Sequence, residues 1–252
     1  MTKRLPPRQC WAALVVATCA LLYLFAVWTP AGLSLDSQVL ASVAGLPLGV
    51  SELVGDVLSA LFAPVVLAGL VGLMVLAVRS RRIAAPALAV LAGLLAAATA
   101  EVLKVALPGR PGDPAAPLSS PLDLLNPEWW ARVHDGPIVL SGSFPGGHAT
   151  TVTALALAVL TAMTPRLARR AALPVMILAA TVSGATVLAG WHRPSDAVAG
   201  MLLAVAWWLA LVPGAGLQSA CGFAKRGRRS TPWRPGVEAS GLARKRPAAT
   251  RR

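Results

Sequence analysis

Charged side chains are scarce in this sequence. Of its 252 residues, 13% are charged and 56% are hydrophobic, whereas about a quarter of the residues are charged in a typical soluble domain. The apolar residues also occur in long blocks and not at amphipathic spacing. This composition excludes an ordinary soluble globular domain and indicates an all-α, polytopic membrane protein.

Cysteine and acidic residues are also few. The chain has three cysteines, Cys10, Cys19 and Cys221, and 10 Asp and Glu residues. The cysteines lack the spacing of metal ligands and are too few for a disulfide framework, so we expect free thiols. No group of carboxylates is placed to hold a metal ion. We therefore expect neither a metal nor another cofactor.

Positive charge is plentiful, with a formal net charge of +13. The basic residues occur in clusters between the apolar blocks, which is the pattern of membrane topology and not of a nucleic-acid-binding stripe. We expect no nucleic-acid partner. The basic tail is better suited to anionic lipid on the cytoplasmic leaflet.

The apolar blocks predict six membrane spans in one domain, residues 11–212. A short cytoplasmic segment, residues 1–10, precedes it, and a disordered basic cytoplasmic tail, residues 213–252, follows it. The first block is interpreted as a retained span, because no small-residue cleavage site follows it. A short interfacial helix is expected over Val39–Val54. The six predicted spans are Trp11–Trp28, Leu58–Val78, Ile83–Leu107, Gly147–Met163, Ala171–Ala189 and Ser195–Val212.

The basic residues also predict the orientation of the chain. With the N-terminus inside, 19 of the 23 Lys and Arg residues lie on the cytoplasmic side, as the positive-inside rule requires. Both termini are then cytoplasmic. Three of the four outward basic residues, Lys104, Arg110 and Arg193, lie in stretches that meet at the outer face of the plasma membrane. An anionic ligand is the natural reason for positive charge placed there.

The first of these stretches leads into the fourth span. Gly146 and Gly147 precede His148 and an apolar run. Bare backbone N–H groups and the positive end of the helix dipole make such a helix start a site for a phosphate-like anion. The same Pro-Gly-Gly turn is also ordinary punctuation before a buried helix.

The third span ends in a second basic stretch with two interpretations. Lys104 lies three residues after Glu101, so it can simply extend to the interface and pair with that carboxylate. Alternatively, Lys104 and Arg110 together hold phosphate, since arginine offers a planar fork and lysine a mobile point charge.

The junction of the fifth and sixth spans carries His192 and Asp196, four residues apart around Pro194. Asp196 could accept a hydrogen bond from Nδ1 of His192, which would leave Nε2 free as a nucleophile. A capping aspartate and an interfacial histidine would explain the pattern equally well. In the catalytic interpretation, His148 donates a proton to the leaving oxygen.

Taken together, the chain resembles the type 2 phosphatidic acid phosphatase family of membrane lipid phosphatases. That family has three ordered motifs on a six-helix bundle: Lys-x6-Arg-Pro, Pro-Ser-Gly-His and Ser-Arg-x5-His-x3-Asp. The matching positions in this sequence are Lys104 and Arg110-Pro111, Pro145-Gly146-Gly147-His148, and His192 with Asp196. The resemblance implies His192 as nucleophile, Asp196 as its orienting residue, His148 as acid and base, and phosphate contacts from Lys104, Arg110, Gly146 and Gly147.

The sequence departs from the family pattern in all three motifs, and in the third motif Ala185 stands in the place of the serine. Lys104 and Arg110 are separated by five residues instead of six, and Gly146 stands in the place of the motif serine. Thr186 occupies the position of the family's arginine, so one phosphate-binding charge is missing. Arg193 is the candidate replacement.

The resemblance implies an integral membrane, metal-independent phosphatase with a phosphohistidine intermediate. The expected substrate is a lipid phosphate or diphosphate of the phosphatidic acid, phosphatidylglycerol phosphate or polyprenyl diphosphate class. Two alternatives stay open: a degenerate protein that binds or transports lipid phosphates without cleaving them, and a phosphotransferase with an acceptor other than water.

Overall fold

A computed structural model describes residues 7–47, 49–81, 83–108, 110 and 144–213. These residues contain seven α-helices and no β-strand: α1 (Pro7–Trp28), α2 (Pro30–Ala44), α3 (Val50–Ser80), α4 (Ala84–Ala106), α5 (Gly147–Ala162), α6 (Pro165–Leu188) and α7 (Pro194–Leu211). The predictions for the first six residues, for the loop over 111–143 and for the basic tail after residue 213 lie outside the described residues.

Five helices, namely α1, α3, α4, α6 and α7, are long and apolar enough to cross a membrane. The prediction of an all-helical membrane protein is confirmed, but a count of six spans is not. The fourth predicted span forms α5, which has only 16 residues and is about 24 Å long, less than the hydrocarbon core of about 30 Å.

Helix α5 lies at the centre of the bundle, packed against α3, α4, α6 and α7. Half of its positions are buried, and most of them are alanine or threonine. Small residues let helix backbones approach closely, which is how helices pack inside a membrane. The start of α5 lies very near α7, where a Cβ atom on Gly200 would overlap the carbonyl oxygen of Gly146, 2.3 Å away. The buried core of this protein is therefore built around α5.

The stretch between the first two spans differs from its prediction. The expected interfacial helix over Val39–Val54 is wrong, because α2 ends at Ala44 and α3 begins at Val50. Pro47 and Gly49 lie in this break, and Gly49 adopts a left-handed conformation with φ of 91°, which glycine tolerates at no steric cost. The second span consequently starts eight residues earlier than predicted.

The helix directions bring the predicted site residues to one end of the bundle. The C-terminal end of α4 and the N-terminal ends of α5 and α7 meet there, together with α2. Arg79 and Arg81 lie at the far end of α3, and Arg166, Arg169 and Arg170 lie in the first turns of α6, at the opposite end.

Candidate active site

The N-terminus of α5 forms the floor of the site. Gly146 is the N-cap residue, and the first intrahelical hydrogen bond runs from the Thr150 N–H to the Gly146 carbonyl at 3.0 Å. The amides of Gly147, His148 and Ala149 precede that bond, so the helix itself offers them no acceptor. This end of the helix carries the positive end of its dipole and favours a negative ligand.

The two predicted catalytic histidines lie together at this end. The ring centroids of His148 and His192 are 5.8 Å apart. His192 belongs to the turn between α6 and α7, and the N–H groups of Trp191 and His192 both donate to the Thr186 carbonyl, at 3.0 and 3.3 Å. Two imidazoles at this separation are close enough to contact the same phosphate group.

Lys104 forms the predicted ion pair and also lies beside the start of α5. Its Nζ donates to Oε1 of Glu101 at 2.6 Å, so the predicted pairing is present. The same Nζ lies at the first turn of α5, because a Cβ atom on Gly147 would be only 3.2 Å from it. Any larger residue at position 147 would press on the ends of the Lys104 and Glu101 side chains, the latter 3.1 Å from such a Cβ atom. Lys104 therefore lies beside the amides that the sequence proposed for phosphate.

The surroundings of His192 keep its ring neutral. Burial lowers the pKa of His192 to about 3, and the positive charges of His148 and Lys104 act in the same direction. Burial disfavours the charged form of a histidine, and nearby cations disfavour it further. A neutral imidazole keeps a lone pair available for attack, so the site holds His192 in the form that a nucleophile requires.

The predicted hydrogen bond from His192 to Asp196 is not formed. Among the described residues, Nδ1 of His192 has no hydrogen-bond partner. The Asp196 carboxylate instead accepts from Nη2 of Arg110 at 2.9 Å and from the backbone N–H of Arg193 at 3.0 Å. The second contact caps α7 from its third position. Asp196 thus fixes the turn that carries His192 and does not accept from Nδ1 of its imidazole.

Arg110 lies in a buried ionic cluster that the sequence did not predict. Its Nη2 donates to Asp36 of α2, to Ser195 and to Asp196, at 3.0, 2.8 and 2.9 Å. Asp36 is 3% exposed and also accepts from the Ser195 hydroxyl at 2.5 Å. Two carboxylates engage Nη2, while Nε of Arg110 has no partner among the described residues. Arg110 and Lys104 nevertheless line one small cavity.

Gly146 has a structural role that replaces the predicted one. Its N–H donates to the Asp196 carbonyl at 2.8 Å, so this amide is engaged within the protein and does not face a phosphate. A Cβ atom at position 146 would be 3.1 Å from the same carbonyl oxygen. A serine here would press on the start of α7, which accounts for glycine in place of the motif serine.

The residue in the place of the family's arginine is buried within the protein. Thr186 is completely buried, and its hydroxyl donates back to the Ser183 carbonyl at 2.7 Å. Arg193, the candidate replacement, is buried at the N-cap of α7, one residue from His192. Its place in the chain suits the role, and the role itself stays a prediction.

Two aromatic residues that the sequence did not indicate flank His148. The Phe62 ring of α3 contacts it edge to face, with centroids 4.7 Å apart, and the Trp191 ring lies at 5.3 Å. Both rings pack against the His148 imidazole and help to hold it in place. Nothing in the spacing of Phe62 distinguishes it from other lipid-facing residues of the second span.

Comparison with known proteins identifies the family. No curated protein and no solved structure gives a significant match. The model of the PAP2 superfamily matches residues 85–217, which is just over half of the chain and includes both histidines, Lys104, Arg110 and Asp196. Asp36 and Phe62 lie outside the matched region, on helices that precede it. The chain belongs to the PAP2 superfamily.

Proposed function

We propose that this protein is an integral membrane phosphatase that hydrolyses a lipid phosphate or diphosphate through a phosphohistidine on His192. Membership of the PAP2 superfamily supports a phosphatase acting on lipid phosphates. The observation that carries the proposal is the pair of imidazoles, 5.8 Å apart at the N-terminus of α5.

In the first step, neutral His192 attacks phosphorus, an N–P bond forms, and the bond from phosphorus to the lipid oxygen breaks. His148, protonated, gives its proton to that leaving oxygen. In the second step, His148 takes a proton from water, the water oxygen attacks phosphorus, and the N–P bond breaks. The products are the dephosphorylated lipid and inorganic phosphate, and His192 and His148 return to their starting forms.

The charge on the phosphoryl oxygens needs fixed partners in both steps. Lys104 lies beside the first turn of α5, which carries His148, and Arg193 follows His192 directly in the chain. Preorganised donors of this kind lower the barrier by stabilising charge as it develops. Arg110 anchors Asp196 through Nη2. Its Nε, which has no partner among the described residues, remains available to the ligand.

The substrate classes suggested by the family resemblance are phosphatidic acid, phosphatidylglycerol phosphate and polyprenyl diphosphate. We propose that the site lies at the outer face of the plasma membrane, with both chain termini in the cytoplasm. The arginines of α3 and α6 lie at the end of the bundle away from the site. They support this orientation, because basic residues favour the cytoplasmic side.

The test is release of inorganic phosphate by the purified protein from a panel of these lipids, with trapping of the intermediate. Brief incubation with labelled substrate should give a protein-bound phosphate that is stable in alkali and labile in acid, as a phosphohistidine is. His192→Ala should abolish both signals, whereas His148→Ala should slow turnover at the protonation steps. Label that persists on His192→Ala would contradict the mechanism.

One observation favours a second function, binding of a lipid phosphate without cleavage. The family's arginine position holds a buried threonine whose hydroxyl faces its own helix, so the site has one cation fewer than the motif specifies. In that case the protein would bind labelled lipid phosphate saturably, and neither released phosphate nor labelled histidine would appear.

A further inference from the structure

A long apolar groove runs along the bundle beside the site. It lies between α1, α4 and α7 and encloses about 540 Å³, within the range of ligand pockets. Alanines such as Ala13, Ala20 and Ala206 make up much of its wall. All three helices are long and apolar enough to cross a membrane, so the groove lies along the membrane-spanning part of the bundle.

The four polar side chains that line the groove are engaged within the protein. The Tyr23 hydroxyl donates to the Pro108 carbonyl at 3.0 Å, and Nε1 of Trp207 donates to Thr99 at 3.1 Å. Thr99 in turn donates to a carbonyl one turn back in α4, and the Cys19 thiol faces the Ala199 carbonyl. A ligand in this groove therefore meets almost only carbon, which suits a hydrocarbon chain and not a polar molecule.

The groove adjoins a small cavity at the charged end of the bundle. Tyr23, Leu107 and Phe144 line both the groove and the small cavity that contains Lys104 and Arg110. A molecule whose phosphate reaches Lys104, beside the first turn of α5, would extend its chain past these three residues and between the helices. The neck is narrow, because the small cavity they share holds only about 10 Å³.

We propose that the groove binds one hydrocarbon chain of the lipid whose phosphate occupies the histidine site. This proposal deepens the proposed function and rests on it for the position of the phosphate. At about 30 Å³ for each methylene-sized group, a groove of about 540 Å³ holds at most about 18 methylenes, which is one long chain and not two. A second chain of a two-chain lipid stays in the bilayer.

Cys19, on the wall of the groove, gives a test that does not depend on catalysis. In a Cys10→Ser, Cys221→Ser protein carrying His192→Ala, the rate at which a membrane-permeant maleimide labels Cys19 is measured. Hexadecyl phosphate should slow labelling at least about fivefold. Hexadecanol, which has the same chain and no phosphate, should protect much less at equal concentration. Equal protection by both compounds would show that the groove binds any hydrocarbon chain of the bilayer, which contradicts the proposal. No protection by either compound would also overturn it.

A second test uses substrate length with a matched pair of variants. Ala20 lines the groove, whereas Ala17, on the same helix and also exposed, does not. For n-alkyl phosphates, kcat/KM of the native protein should rise with length up to about 18 carbons and then level off. Ala20→Phe should lower kcat/KM for the longest chains at least about fivefold, with little change for octyl phosphate. Ala17→Phe should behave as the native protein.

The two proposals fail in different ways. If no lipid phosphate is hydrolysed but hexadecyl phosphate still protects Cys19 better than hexadecanol, the groove proposal holds and the phosphatase proposal fails. If phosphate is released with no dependence on chain length and Ala20→Phe matches Ala17→Phe, the phosphatase proposal holds and the groove proposal is refuted.

Discussion

The protonation of His192 can be measured directly, because the chain has only three histidines, His134, His148 and His192. Burial, together with the charges of His148 and Lys104, lowers the pKa of His192 to about 3. At pH 5, a histidine with the ordinary pKa of about 6.5 is about 97% protonated, whereas His192 should be about 1% protonated. Imidazole NMR of the detergent-solubilised protein, assigned with His134→Gln and His192→Gln, gives these fractions.

The same shift makes stability depend on pH. Because the folded pKa lies below the unfolded one, the unfolded chain binds a proton that the native protein does not between about pH 6.5 and about pH 3. The stabilisation is complete above that window and is lost as pH falls through it. Its full size is on the order of 5 kcal/mol. The Tm of the native protein should therefore fall with decreasing pH more steeply than the Tm of His192→Gln.

Lys104→Gln provides the matching perturbation. Removing one nearby positive charge should move the pKa of His192 upward, while burial continues to hold it below 6.5. Titration of His192 near pH 6.5 in the native protein would refute the account of a dry, positively charged surrounding. An unchanged pKa in Lys104→Gln would show that the lysine is too far away to act on the ring.

Three other substitutions test separate parts of the site. Asp36→Asn removes one of the two carboxylates that engage Arg110, and should cost about 2 kcal/mol of stability, seen as a lower Tm in detergent. Arg193→Ala should lower kcat/KM by about 100-fold if this residue supplies the missing phosphate charge, with partial recovery in Arg193→Lys. Gly200→Ala should destabilise the bundle by about 1 to 3 kcal/mol, whereas Gly72→Ala, with nothing within 4 Å of the added carbon, should not.

Each of these expectations has a contrary result. An unchanged Tm in Asp36→Asn would mean that the buried cluster does not stabilise the fold. Full turnover by Arg193→Ala on every accepted substrate would show that Arg193 does not supply the missing phosphate charge. Equal stability of the two glycine variants would show that α5 and α7 have room to separate.

The sequence predicted where most of the helices lie and which residues meet at one end of the bundle. Continuous apolar blocks located the helices, and three spaced motifs located His148, His192 and Lys104 at one end of the bundle. These signals are reliable because a bilayer restricts spanning segments to helices of limited length. The sequence could not give the length of α5, because a helix surrounded by protein need not match the thickness of the hydrocarbon core.

The sequence did not predict which side chains contact one another in the site. Asp196 was expected to face His192, four residues away, but the geometry at the start of α7 directs its carboxylate to Arg110 and to a backbone amide. Asp36 gave no signal, since nothing in its spacing indicates that α2 would bring it to Arg110. The role of Gly146 likewise depends on how closely two helices cross.

Enclosure of α5 by α3, α4, α6 and α7 separates the helix that carries His148 from the lipid. Changes in bilayer thickness or composition act first on the surrounding helices, which can tilt to match them. Threonines such as Thr150 and Thr153, each completely buried, are tolerated on α5 because its neighbours are protein backbones and not hydrocarbon. His148 is thereby carried on a helix that the lipid does not touch, while adaptation to different membranes is left to the helices around it.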